Sequence, residues 1–213
     1  MTTLRRRLHQ LFPTMRNVLV RLSLRAIDFS GVERVLVVGA GDDPYRHLFP
    51  SARTYVRSDL VRQAGVEGNS TDVVSDGMAL PFRDGSFQCT VATEVLEYVQ
   101  RPQDFAAELR RVLSDEGFAV ITVPFVFQDH DDYWRPTKRS LAELFRGYGS
   151  VEVSAQGNRF HTMIDLLTTS FSPWPILFPL RVFSNLLLLA PSRRAPKGST
   201  STAPSGFVVV ARK

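Results

Sequence analysis

The β-branched run Arg34–Val38 ends abruptly at Gly39, Ala40 and Gly41, and that junction constrains the chain more than any other. An uninterrupted apolar run of this kind predicts a strand buried on both faces. The two glycines allow a turn with positive φ, or a close approach of backbone to a ligand. The same design recurs downstream. Tyr55 and Val56 lead to Asp59, residues 72–74 to Asp76, residues 87–93 to Glu94, and residues 118–123 to Pro124. Each predicted strand thus ends in a polar or turn-forming tip.

Between the strands, Phe105, Ala106, Leu109, Val112 and Leu113 recur at helical spacing over residues 102–113, with Gly117 as a C-cap signal. Residues 137–145 read as a second helix closed by Gly147 and Gly149, and residues 207–211 as a final strand. Strands alternating with helices predict an α/β fold with a mainly parallel sheet. Its ligand crevice lies at the carboxyl ends of the strands.

Charge is distributed unevenly along the 213 residues. Residues 1–30 hold six arginines against Asp28, and residues 191–213 hold five basic side chains and no acid. Residues 31–190 carry 15 basic and 20 acidic side chains, so the body is acidic and the ends are basic. A nucleic-acid partner is not expected, because such proteins carry positive charge on the folded docking face. The lone cysteine, Cys89, removes a disulfide framework and any multi-cysteine metal site, and fits a reducing, cytoplasmic location.

The basic start does not read as a secretory signal, since Pro13, Arg16, Asn17, Arg21 and Arg25 interrupt it. Leu8, Leu11, Phe12, Met15, Val18, Leu19, Leu22 and Ile27 instead give residues 1–30 the pattern of a basic amphipathic arm. Such an arm either packs on the domain by its apolar side or lies on a membrane surface. Residues 31–157 and 206–213 form the expected core, and residues 158–205 an apolar insert followed by a flexible linker. Within residues 171–190, 13 of 20 side chains are apolar, but three prolines and Arg181 argue against a membrane span.

Asp59 lies 18 residues beyond Gly41, at the next strand's tip, where a carboxylate can accept from both ribose hydroxyls. A glycine turn with an acidic tip indicates a ribonucleoside ligand. A dinucleotide fingerprint needs a third glycine at the position of Pro44, so a pyrophosphate site is missing. Residues 72–125, with Leu80-Pro81-Phe82, Leu96-Glu97-Tyr98-Val99, Glu108-Leu109-Arg110-Arg111-Val112-Leu113 and Val123-Pro124, closely resemble the small-molecule class I S-adenosylmethionine-dependent methyltransferases. Gly39-Ala40-Gly41-Asp42-Asp43-Pro44-Tyr45, residues 130–141 and the terminal residues 206–213 extend that resemblance.

The resemblance implies a doubly wound, Rossmann-like, seven-stranded sheet with the last strand antiparallel, and S-adenosylmethionine as cofactor. It places the cofactor's carboxylate against the amides of the Gly39–Gly41 turn and its ribose on Asp59. Asp76 would accept from the adenine amino group, with Gly77 and Met78 beside the ring, and Thr93 and Glu94 would line the cofactor. The sequence departs from the family pattern at Val37, Gln88, Tyr98 and Glu116.

Methyl transfer from a sulfonium is an in-line displacement, and a hydroxyl acceptor must also lose a proton. His130 is the leading base and Tyr133 its companion in the acceptor site, with Asp132 and Tyr98 as secondary candidates. No metal site is expected, because adjacent residues of 128–132 point opposite ways on an extended loop. The expected activity is methylation of a small or lipid-linked metabolite at oxygen, with possible acceptor docking through a peripheral membrane contact. An inactive cofactor-binding module that docks a partner or membrane is the alternative.

Overall fold

Val35, Leu36, Val37 and Val38 are all buried because β1 (Arg34–Val38) lies inside a seven-stranded sheet covered on both faces. The computed structural model describes residues 13–41, 43–60, 71–128, 131–170 and 203–213, together with Pro179 and Phe183. The further strands are β2 (Thr54–Asp59), β3 (Val73–Val74), β4 (Phe87–Thr93), β5 (Leu113–Pro124), β6 (Ser150–Gln156) and β7 (Gly206–Arg212). Their order is β3-β2-β1-β4-β5-β7-β6. Pairing is parallel from β3 to β5, and β7 runs antiparallel to both β5 and β6. This is the expected doubly wound α/β sheet.

Alternation along β1 divides the core. Leu36 and Val38 face α2 (Pro102–Val112) and α3 (Lys138–Leu144) through Phe105, Leu109, Leu141 and Phe145. Val35 and Val37 face α1 (Met15–Arg25) through Val20 and Leu24, with Phe29 and Phe49 alongside. Local signals set the helix starts: Thr14 caps α1, Pro102 opens α2, and Thr137 with Ser140 makes a capping box for α3. Gln88, at a departure from the family pattern, accepts from the Glu33 and Arg34 amides at 2.8 and 3.1 Å and so ties down the start of β1.

One expectation changes and one open alternative is decided. Gly117 is no helix cap, because α2 runs directly into β5 and Gly117 lies within that strand, beside a register shift in the β4–β5 ladder. A Cβ at Gly117 would sit 2.9 Å from the Ser114 carbonyl, so the glycine makes room for the irregular pairing. The second concerns the basic arm. Its stretch Met15–Arg25 packs on the domain, burying Met15, Leu19, Val20 and Leu24, and is not a membrane-surface helix; residues 1–12 lie outside the described residues.

The start of the apolar insert forms α4 (Arg159–Ser170), whose polarity is reversed relative to its neighbours. His161, Thr162, Asp165 and Thr168 are buried, whereas Phe160, Met163 and Leu167 are more than half exposed. The buried side chains have polar partners. The Thr162 hydroxyl donates to the Ala203 carbonyl at 2.9 Å, and Asp165 accepts from the Arg16 amide at 3.0 Å. Apart from Pro179 and Phe183, residues 171–202 lie outside the described residues. Among the described residues no helix is long and apolar enough to cross a membrane.

Candidate active site

The carboxyl ends of β1 to β4 bring Gly39, Asp59, Asp76 and Glu94 to one edge of the sheet, as parallel pairing requires. A cleft of about 680 Å³ opens there, walled by Met78, Val99 and Phe105 and bordered by Tyr98, Gln100 and Tyr133. Its described lining contains three carboxylates, Asp59, Asp76 and Glu94, and no lysine or arginine. Among the described lining residues a phosphate would meet carboxylates and no cation. A ligand presenting hydroxyl or amine donors and a positive centre suits it, which is the chemistry of a ribosylated sulfonium.

The tips are built locally. Gly39 has φ +66°, and a Cβ there would run into the Val95 side chain. Gly41, at φ +50°, donates its amide to Asp59 Oδ2 at 3.0 Å, and the Leu60 amide donates to Asp59 Oδ1 at 2.8 Å. The Gly41 amide therefore faces Asp59 rather than standing open for a ligand carboxylate, as the resemblance implies it should. Asp59 keeps spare lone pairs on both oxygens. Asp76 accepts from the Met78 amide at 2.8 Å, so it both forms the turn and lines the cleft. Gly77 also lines the cleft, and its missing side chain admits the Phe105 ring. Gly41 and Thr93 lie outside the cleft lining, Thr93 pairing in register with Thr122.

Glu94 is held differently. It has φ +55°, a left-handed conformation uncommon for a residue with a side chain. Arg16 donates to both carboxylate oxygens, Nε to Oε2 at 2.9 Å and Nη2 to Oε1 at 2.6 Å, and the Thr122 hydroxyl donates to Oε1 at 2.8 Å. Arg16 is only 2% exposed. Sequence reasoning counted Arg16 among the arm's charges and missed this contact. The usable signal was its spacing, since Arg16, Leu19 and Val20 stand at i, i+3 and i+4 on one helix face.

Glu97, on the short 3₁₀ turn Leu96–Tyr98, is fully buried, and neither carboxyl oxygen has a well-formed hydrogen bond. Burial, and then the Glu94 charge, push its pKa up to about 8, against the opposing pull of Arg16 and Arg135. Glu97 consequently holds its proton at neutral pH. Sequence reasoning read it only as part of a motif.

At the acceptor end, Tyr133 lines the cleft, its amide bonded to the Glu97 carbonyl and its hydroxyl accepting from Gln100 Nε2 at 2.6 Å. His130 lies outside the described residues. Asp132 is paired with Arg135, which also donates to the Phe127 and Gln128 carbonyls, so this pair braces the loop. Burial, followed by the Glu97 charge, pushes the Tyr98 phenol up to about 12, which keeps its proton in place. Among the described residues no group of three or more His, Cys, Asp or Glu side chains is arranged to hold a metal ion.

Residues 39–121 match the family model of a methyltransferase domain. An uncharacterised methyltransferase of Mycobacterium avium is 42% identical over 52 residues, 24% of this chain and 21% of that protein. The match thus spans about a fifth of the length of that relative. The fold is shared with a SAM-dependent methyltransferase from Archaeoglobus fulgidus, at TM-score 0.61 and 15% identity, covering 96% of this chain and 97% of that one. It is also shared with Haemonchus contortus phosphoethanolamine N-methyltransferase 2 in complex with S-adenosylmethionine, at TM-score 0.60 and 14% identity over 92% of this chain and 52% of that one. Residues 39–121 are thus similar to a methyltransferase domain, and the fold is one that S-adenosylmethionine-dependent methyltransferases share.

Proposed function

We propose that the chain transfers a methyl group from S-adenosylmethionine to an oxygen of a small or lipid-linked metabolite. The observation that carries this reading is the cleft at the strand tips, whose described lining holds three carboxylates and no lysine or arginine. When bound, the cofactor supplies a sulfonium-activated methyl group. Asp59 orients it by accepting from ribose hydroxyls, and Asp76 by accepting from the adenine amino group, with Met78 and Gly77 alongside. Gly39 and Glu94 face its methionine end, with Gly41 and Thr93 supporting them from just outside the cleft. Tyr133 positions the acceptor, and His130 takes its proton.

A hydrophobic acceptor is favoured by α4, which turns Phe160, Met163 and Leu167 outward beside a sequence segment rich in further apolar residues. Exposed apolar patches of this kind mark binding surfaces. The basic chain ends add attraction to an anionic membrane surface.

Isothermal calorimetry with S-adenosylmethionine tests the cofactor reading first. Labelled cofactor incubated with a fractionated cell extract then tests the reaction, and label in the organic or small-molecule fraction is the expected result. Cofactor binding with no labelled product in any fraction would instead identify an inactive docking module. Liposome co-sedimentation at low salt is expected to succeed with anionic lipid; no sedimentation would remove the membrane contact.

A further inference from the structure

We propose that Arg16, from the N-terminal helix α1, is a positioning residue of the cleft: it fixes Glu94, and through Glu94 the cofactor-facing end of β4. This rests on the reading of the cleft as the cofactor site, and it extends that site to a helix outside the matched methyltransferase domain.

Geometry carries the argument. Glu94 sits at the strand-to-turn junction in a left-handed conformation, which persists only where surrounding contacts over-determine it. Those contacts come from far away in sequence. Arg16 supplies a two-point fork, and Thr122 adds a hydroxyl to one oxygen and its carbonyl to the Glu94 amide. A guanidinium matches the planar carboxylate at two points, which an ammonium cannot do. The remaining fork nitrogen, Nη1, donates to Gln156 Oε1 at 2.6 Å, so the buried charge is directed on two sides.

The rest of the fold makes room for the fork and anchors it. Gly206 opens β7 beside it, and a Cβ there would overlap Nη1. The Arg16 amide, an unpaired donor in the first turn of α1, is taken by Asp165 of α4. The Arg16 side chain therefore bonds the tip of β4 and the end of β6 and passes beside β7, while α4 holds its backbone amide and β5 reaches its partner Glu94.

Charge gives the same answer. Glu94 and Glu97 lie three residues apart beneath the loop that Asp132 and Arg135 brace. Arg16 is the cation bonded to Glu94. Without it the half-buried Glu94 would lie beside the buried Glu97 with its fork lost, and would be released to swing into the cleft or toward solvent.

The test is a double-mutant cycle of Arg16→Met and Glu94→Gln, read by calorimetric affinity for S-adenosylhomocysteine and by melting without ligand. Arg16→Met is expected to weaken binding about fivefold or more in the wild-type background and less than about twofold in the Glu94→Gln background. Arg16→Lys, which keeps the charge and loses the fork, is expected to fall between. A purely structural Arg16 would lower the melting temperature in both backgrounds while leaving affinity unchanged or its losses additive, and either pattern overturns the proposal. If Arg16→Met does not fold, wild-type affinity in Arg16→Lys overturns it equally. Failure of the wild-type protein to bind removes the cofactor reading, and this inference with it; that result is distinct from binding that ignores Arg16.

Discussion

The acids on the two sides of the cleft are held in opposite ways. Asp59 and Asp76 accept from the amides of Leu60 and Met78, one and two residues on, and Asp59 also from Gly41 across the β1–β2 pair. Glu94 is held by Arg16, 78 residues away, and the Glu97 carboxyl has no well-formed hydrogen bond. The first pair is preset by turn geometry and left open to a ligand. The second pair is set by packing, with one acid forked by Arg16 and the other neutral. One side of the cleft thus needs only turns and paired neighbouring strands, and the other takes its form once α1 and α4 have docked.

Several substitutions would break or sharpen this contrast. The largest effect is expected on the Asp76 side, where Phe105 is fully buried beneath Gly77. Phe105→Ala should cost roughly 3–5 kcal/mol of unfolding free energy in denaturant titrations and loosen the adenine wall. A loss below about 1 kcal/mol would show that the local side does not lean on the core.

Glu97→Gln should stabilise the protein, by an amount that depends on pH. A carboxyl whose folded value is about 8 carries no penalty while both states are protonated, below the ordinary value of 4.5. From there the unfolded state loses its proton first, so stability falls as pH rises toward 8 and levels off above it. The variant should therefore match wild type near pH 4.5 and exceed it by roughly 1–3 kcal/mol at pH 8.5. Parallel stability curves across that range would mean that Glu97 is not a neutral buried acid.

Asp59→Ala should weaken S-adenosylmethionine binding at least about tenfold, since each unpaired ribose hydroxyl costs roughly 1–3 kcal/mol. Melting without ligand should barely change. An unaltered dissociation constant would take Asp59 out of the site and leave the contrast between the two acid pairs without functional meaning.

The smallest stability effect is expected on the outer face of α4. Met163→Ser and Leu167→Ser should change unfolding free energy by no more than about 0.5 kcal/mol, because both side chains face outward. The same pair should reduce liposome co-sedimentation. A large loss of stability would show that this face is covered in solution.

Much of the fold was legible because its signals are short-range. Arg34–Val38 with its glycine turn, the helical spacing of α2 and the acidic strand tips all reflect local conformational preference and burial period. The α4 helix was not legible in this way, since its apolar residues suggested a buried or docking face without saying which. Burial of His161 and Asp165 depends on partners at Asn158 and Arg16, and period alone does not reveal them. Gly117 shows the same limit: a glycine after a helix reads as a cap, but here the next strand begins before it.

The sequence by itself determined the parallel α/β sheet, the edge on which the cleft opens and the acids Asp59 and Asp76 at its tips, because strand period, turn chemistry and right-handed crossovers act over a few residues at a time. Only the tertiary structure decided that Arg16 is buried, that Glu94 is its partner and that Glu97 keeps its proton. Desolvation and ion pairing depend on what packs above a charge, and that is settled by residues more than a hundred positions apart, as between Arg16 and Gln156.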